Sequence, residues 1–313
     1  MPVQPSTTLA ASSPPVPWPK RARRSLRYLG VRALLALVAQ LPLRLAARLG
    51  AKVGALAFRV AGRERAKALA SLQMAFPLAT PGEREDLARR AFIHWGTTAG
   101  ELACVRQLDA RRDELIEWPE EDRARMDSAL ARGKGVVFVT GHVGNWEILA
   151  RHVALSGYPC AVIGREASDP RTTQLIERFR SDGKLRVIWR GHRGAAKDML
   201  RTLRGNGVLG LLIDQDTRVQ SVWVPFFGHA AKTPRAAADL ALRTKAVPIL
   251  GFAIRVGEGR FRLSMREVPL PPGDGEEAVL ALTAELTRGI EEQIRAHPEQ
   301  WVWMHERWKS PPP

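Results

Sequence analysis

Cysteine is scarce in this chain: Cys104 and Cys160 are the only two in 313 residues. So low a count excludes a disulfide-stapled scaffold and a cysteine zinc cluster, and it fits a reducing compartment. Acidic residues are almost missing from residues 1–65, where Glu64 is the single carboxylate among 12 lysines and arginines. That segment carries +11 of the net +16. Long apolar runs are lacking too. The longest uncharged apolar stretch of the basic N-terminal region, 33–43, still holds Gln40 and Pro42. As helix it spans roughly 16 Å, where a bilayer core needs about 30 Å. Continuing to Phe58 brings in Arg44, Arg48 and Lys52, each costing roughly 2.5–3.5 kcal/mol at the centre of a membrane. Arginines continue past the apolar run and a Pro-rich stretch precedes it, which disfavours a cleaved signal peptide.

What is present is a hydrophobic fraction of 45%, ordinary for a globular chain with one large core or one core plus a helical appendage. The basic excess points to a polyanionic surface, either nucleic acid or the anionic face of a membrane. The charges are interleaved with Leu, Val and Ala, not with aromatics or Gly-Arg repeats. The membrane is therefore favoured, and no nucleic-acid partner is expected. Spacings of four put Arg44, Arg48 and Lys52 on one helical face and turn Leu45, Leu49, Val53 and Leu56 away from it. This reads as a helix lying in the membrane interface, ahead of a tilted single span. A basic helix capping the soluble core is the plain alternative.

Three segments follow: a disordered tail over 1–25, rich in Pro, Ser and Thr, an amphipathic anchoring segment over 26–65, and a folded domain over 66–310. The first part of the chain, to about residue 116, has helical periodicity. Thr80 with Glu83 three residues on is a capping-box signature. After Arg132 the pattern changes. Short β-branched runs at 135–140, 160–163, 185–189 and 208–213 alternate with helical stretches at 145–155, 172–180 and 195–203. The segment around Pro225-Phe226-Phe227-Gly228 reads as a loop, residues 234–244 as a helix with an early proline, 247–255 and 260–267 as paired strands, and 276–296 as a long helix. Alternation of this kind predicts an α/β fold, a mainly parallel sheet flanked by helices. There is no internal repeat.

The sharpest segment is Val136-Val-Phe-Val-Thr-Gly-His-Val-Gly-Asn-Trp-Glu147. A buried strand runs into a glycine-flanked turn carrying His142, and a helix begins at once. Parallel sheets place ligands at the carboxyl ends of their strands. On one continuous helix His142 and Glu147 would be about 140° apart, so they meet only if His142 lies in the turn before it. Gly141 and Gly144 permit that. A carboxylate against one imidazole nitrogen fixes the tautomer and supports proton abstraction from an alcohol. The turn amides around Gly141, Val143, Gly144 and Asn145 are candidate oxyanion donors.

The phrase Gly-His-Val-Gly-Asn-Trp-Glu resembles the late acyltransferases of lipid A biosynthesis, the lauroyl and myristoyl transferases of Gram-negative inner membranes. These belong to a wider lysophospholipid acyltransferase group marked by His, four residues, then Asp or Glu. Three more segments agree: Leu212-Ile-Asp-Gln-Asp216, Val224-Pro-Phe-Phe-Gly228 followed by Lys232-Thr-Pro234, and His297-Pro-Glu-Gln-Trp-Val-Trp-Met-His-Glu-Arg-Trp-Lys309. The resemblance spans roughly residues 30–309. It implies a glycerolipid-acyltransferase-like domain with N-terminal membrane-associated helices, on the cytoplasmic face of the bacterial inner membrane. It implies acyl transfer from acyl carrier protein, as donor substrate and partner, to a hydroxyl of a phosphorylated, acylated glucosamine disaccharide. His142 would be the base and Glu147 its partner, with no cofactor.

Arg165, Arg178, Arg180 and Arg190 cluster around the second and third of these strands, and guanidinium forks suit phosphate oxygens. Arg180, then Arg165 and Arg190, are the favoured substrate ligands. Asp214 and Asp216 follow a strand and should share the sheet edge of His142, there to orient substrate or hold an arginine. No residue set suits a metal, and none is expected. Trp223, Phe226, Phe227, Trp301, Trp303 and Trp308 read as packing, some of them near an acyl cleft. His94, His152, His192, His229, His297 and His305 carry no special claim. Glu147 stands where the glycerolipid group has Asp, and Ile213-Asp-Gln-Asp216 where it has Pro-Glu-Gly-Thr. Both departures favour a glycolipid acceptor and leave lysophospholipid, ornithine lipid and mannosylated lipid open. A nucleic-acid-binding module and a non-catalytic membrane scaffold are the rivals from other classes.

Overall fold

A computed structural model describes residues 18–312. The chain opens with helices α1 (Trp18–Val38), α2 (Leu43–Val60), α3 (Gly62–Ala75) and α4 (Pro81–Ala103). Short helices α5 (Val105–Ala110) and α6 (Arg112–Leu115) lead to strand β1 (Ile116–Glu117) and helix α7 (Glu120–Ala131). The α/β unit follows as β2 (Val136–Thr140), α8 (Trp146–Leu155), β3 (Cys160–Gly164), α9 (Pro170–Asp182), β4 (Arg186–Trp189), α10 (Ala195–Arg204) and β5 (Val208–Leu212). A hairpin of β6 (Ser221–Phe226) and β7 (His229–Pro234) precedes α11 (Ala236–Thr244), the long pair β8 (Val247–Gly257) and β9 (Arg260–Glu267), and α12 (Glu276–Ala296).

Seven strands form one sheet in the order β1-β9-β8-β2-β5-β3-β4. Its centre is parallel, with β2 between β5 and β8, while β9 runs antiparallel to β8. The expected mainly parallel α/β sheet is therefore present. All five residues of β2 are buried, because helices cover both faces. Val137 and Val139 belong to one apolar cluster with α11 and α12, and Val136 and Phe138 to the other with α7 and α8. Alternation along one strand thus feeds two cores.

The N-terminal helices are held by small residues. Gly54 faces α4 so closely that a Cβ there would collide with the Phe92 carbonyl. The buried face of α2 is Leu43, Ala46, Ala47, Gly54 and Phe58, whereas Leu45, Leu49, Val53, Leu56 and Val60 stay exposed. One face of α2 therefore packs on the core while its apolar stripe stays outside it. Among the described residues no helix is long and apolar enough to cross a membrane. Thr80 and Glu83 form the expected reciprocal cap of α4.

Three expectations need correction. Residues 18–25 are the start of α1 and not tail; residues 1–17 lie outside the described part. The segment around Pro225 is an antiparallel hairpin and not a loop, with Phe227 in left-handed backbone at its tip. Pro234 does not begin a helix. It ends β7 opposite Ser221, and α11 starts two residues later. A proline tolerated at the edge of a two-stranded ribbon looks the same in sequence as one at a helix start.

Candidate active site at the end of strand β2

The turn after β2 is pinned from three sides. Gly144 takes φ +64°, and a Cβ there would collide with the Ala253 carbonyl, so only glycine fits. Its N–H donates to the Gln300 carbonyl at 3.0 Å, and the Asn145 N–H donates to the Ala253 carbonyl at 2.9 Å. His94 Nε2 lies 3.3 Å from the Gly144 carbonyl. Burial first, then the Arg255 charge, lowers the His94 pKa to about 3, so that ring is neutral and donates from Nε2. The Asn145 side chain caps α8 by accepting from the Ile148 N–H at 3.1 Å.

This committed backbone corrects the oxyanion reading. The amides of Gly144 and Asn145 already serve protein carbonyls, and that of His142 donates to Asp214 Oδ2 at 2.6 Å. Of the expected set, Gly141 and Val143 are left.

The imidazole partner differs from expectation as well. His142 Nδ1 is 2.8 Å from Asp214 Oδ1, and Trp301 Nε1 donates to Asp214 Oδ2 at 2.8 Å. Asp214 is fully buried. Burial alone would raise its pKa, but the facing His142 charge and the hydrogen bonds from His142 and Trp301 prevail and hold it at about 2. An ionised acceptor at Nδ1 keeps the proton on that nitrogen and leaves the Nε2 lone pair for chemistry. Gln215 Nε2 stands 3.4 Å from that Nε2, and the Trp146 ring packs edge-on at 4.7 Å between centroids.

Glu147, expected at the imidazole, instead grips Arg180. Both of its oxygens accept from the guanidinium, with Arg180 Nε donating to Oε2 at 3.1 Å. The reason is positional. Glu147 sits in the first turn of α8 and meets the last turn of α9, whereas Asp214 follows the strand adjacent to β2.

Nε2 opens into a cleft of about 680 Å³ whose lining includes His142, Trp146, Arg165, Arg180, Arg190 and Gln215. The three favoured arginines therefore share one cavity with the histidine. Arg165 and Arg190 are exposed and have no ion pair among the described residues; Arg178 is exposed but does not line the cleft. Behind Trp146 and the Glu147–Arg180 pair runs a narrow apolar channel of about 40 Å³, lined by residues including Phe138, Leu149, Val153, Cys160, Gly210 and Leu212. Asp216 departs from the substrate-binding expectation. Its Oδ2 accepts from the Ser310 N–H at 3.0 Å and its carbonyl from Lys309 Nζ at 2.8 Å, so it fastens the C-terminal segment.

Sequence reasoning missed Gln215, Gln300 and His94 as parts of the site, and read Trp301 only as packing. A polar run directly after a strand adjacent to β2 was the available signal for Gln215. Nothing local marks His94, which comes from α4.

The family model described as bacterial lipid A biosynthesis acyltransferase matches residues 19–310. Among curated proteins, the chain is 27% identical to a lipid A biosynthesis acyltransferase of Haemophilus influenzae over 88% of this chain and 85% of that one. It is 26% identical to the lipid A biosynthesis lauroyltransferase of Escherichia coli over 92% of each. A phosphatidylinositol mannoside acyltransferase of Mycobacterium tuberculosis is 28% identical over 58% of this chain, and the match spans only 57% of that protein.

Proposed function

We propose, from the premise that this chain belongs to the bacterial lipid A biosynthesis acyltransferase family, that it moves a fatty acyl group from acyl carrier protein to a hydroxyl of a lipid A precursor. The observation that carries the reading is His142, held by Asp214, facing a cleft that three arginines and a narrow apolar channel adjoin.

In this mechanism the acceptor hydroxyl gives its proton to His142 Nε2 as its oxygen bonds to the thioester carbonyl carbon. The resulting oxyanion collapses, the C–S bond breaks, and the leaving thiolate takes the proton back from Nε2. Asp214 stays ionised and balances the transient imidazolium, an arrangement worth about 10²–10⁴-fold in rate. Arg180, oriented by Glu147, stands where channel and cleft meet, so its guanidinium is placed for charge that develops on the thioester. Arg165 and Arg190 supply forks for the acceptor's phosphates.

The exposed Leu45, Leu49, Val53 and Leu56, with Arg44, Arg48 and Lys52 beside them, support docking of α2 on an anionic leaflet. This supports a peripheral position on the cytoplasmic face of the inner membrane. A second reading, transfer to a mannosylated or other amphiphile by the same chemistry, is favoured by the likeness to the mycobacterial enzyme.

The test offers purified protein a panel of acyl carrier thioesters with a tetraacylated lipid A precursor, and weighs the products. One added acyl chain is the expected result. Transfer only to other acceptors, together with unchanged lipid A in a deletion strain, moves the assignment to the second reading.

A further inference from the structure

We propose that Gly210 sets the length of acyl chain this enzyme accepts, by leaving open one row of the sheet under α8 and α9. This rests on the acyl-transfer reading above and adds to it the residue that decides donor choice.

The channel runs down the sheet from the site. Its mouth is formed by Thr140, Leu212, Glu147 and Arg180, and its far end by Val153, Cys160, Leu185 and Val208. Alternation puts Leu212, Gly210 and Val208 on one face of β5. In register with Gly210 stand Phe138 on β2 and Val162 on β3. Both neighbours carry large side chains and Gly210 carries none, so the middle row has a gap one residue wide. A Cβ at Gly210 would lie 3.1 Å from Val162 Cγ1, so a methyl group only just fits and anything larger enters the channel.

The opposite wall is kept aside by a second glycine. The Phe138 ring lies over Gly251 on β8, where any Cβ would collide with it. Glycine within a buried strand weakens the sheet and forfeits packing. Two such glycines, both serving one apolar slot that shares Trp146 and Arg180 with the cleft of His142, point to an occupant from outside the fold.

Length follows from the register. Leu212 to Val208 is four residues, or about 13 Å at the rise of a strand. An extended chain advances about 1.2 Å per bond, so about 11 bonds fill that depth. A saturated donor of about 12 carbons then ends against Val208 and Cys160 with its carbonyl near Arg180, whereas 16 carbons overrun the floor. Burial pushes the Cys160 thiol up to about 12, so at that floor it acts as a small apolar side chain.

The experiment measures transfer rates from acyl carrier thioesters of about 8 to 16 carbons with wild type, Gly210→Val and Cys160→Gly. Wild type should favour about 12 carbons. Gly210→Val should raise the 8-to-12-carbon rate ratio by at least about tenfold, and Cys160→Gly should raise the 14-to-12 ratio similarly, since hydrophobic pockets discriminate on that scale. A variant that is only destabilised loses rate at every length and leaves the ratios alone. Unchanged ratios in folded variants overturn the proposal. If wild type transfers no acyl group to any acceptor, the acyl-transfer reading fails by itself. Native mass spectrometry of bound saturated fatty acids then decides on the channel: equal retention of 12-carbon acid by wild type and Gly210→Val rejects the role of Gly210.

Discussion

Asp214 stands level with His142, each two residues beyond a strand end, because Thr140 of β2 and Leu212 of β5 are register partners. The parallel register therefore builds the dyad without a long side chain. A short carboxylate reaches both the ring and the main-chain N–H of the same residue, which fixes the imidazole in position and tautomer together.

Asp214→Asn keeps the shape but presents an amide in place of a charge. The tautomer is no longer held and the imidazolium loses its counterion, so kcat should fall by about 10³–10⁴-fold with little change in KM. Kinetics together with near-ultraviolet circular dichroism check this. Near-normal turnover in a folded variant would take the base's support away from Asp214.

Glu147 and Arg180 should behave as one unit. Glu147→Gln and Arg180→Lys should each lower kcat by about 10²–10³-fold, and the double variant should be little worse than either. If Glu147 instead acts on the imidazole directly, Glu147→Gln alone will displace the acid limb of the pH profile of kcat/KM while Arg180→Lys leaves it in place.

Stability should fall in mild acid because of His94. Its folded pKa is depressed to about 3 by burial and then by the Arg255 charge, whereas the unfolded ring titrates near 6.5. Between those values the unfolded chain binds the extra proton, so stability is complete above pH 6.5 and is lost as pH falls. From pH 6.5 to 5 the loss from this group is roughly 1–2 kcal/mol. His94→Gln should flatten that slope in urea titrations at the two pH values; an equal slope refutes the assignment.

The exposed stripe on α2 should govern membrane binding. Leu49→Glu with Val53→Glu should abolish sedimentation with vesicles containing anionic lipid, while thermal stability changes little because both side chains already face solvent. Undiminished sedimentation places the contact elsewhere.

The order of strands and helices from β2 to α12 was largely determined by sequence alone, because apolar runs of period two and helical runs of period 3.6 answer to local chemistry. The same holds for His142 in a glycine-flanked turn and for the clustering of Arg165, Arg180 and Arg190 around two successive strands. The hairpin was hidden, since Pro225 and Pro234 look like loop and helix signals until a partner strand is present. Pairings across the sheet depended on register, which no local pattern carries. Only tertiary structure gave the imidazole to Asp214 and Glu147 to Arg180, because residues 72 positions apart meet through neighbouring strands, while residues five apart are turned away from each other at a helix start.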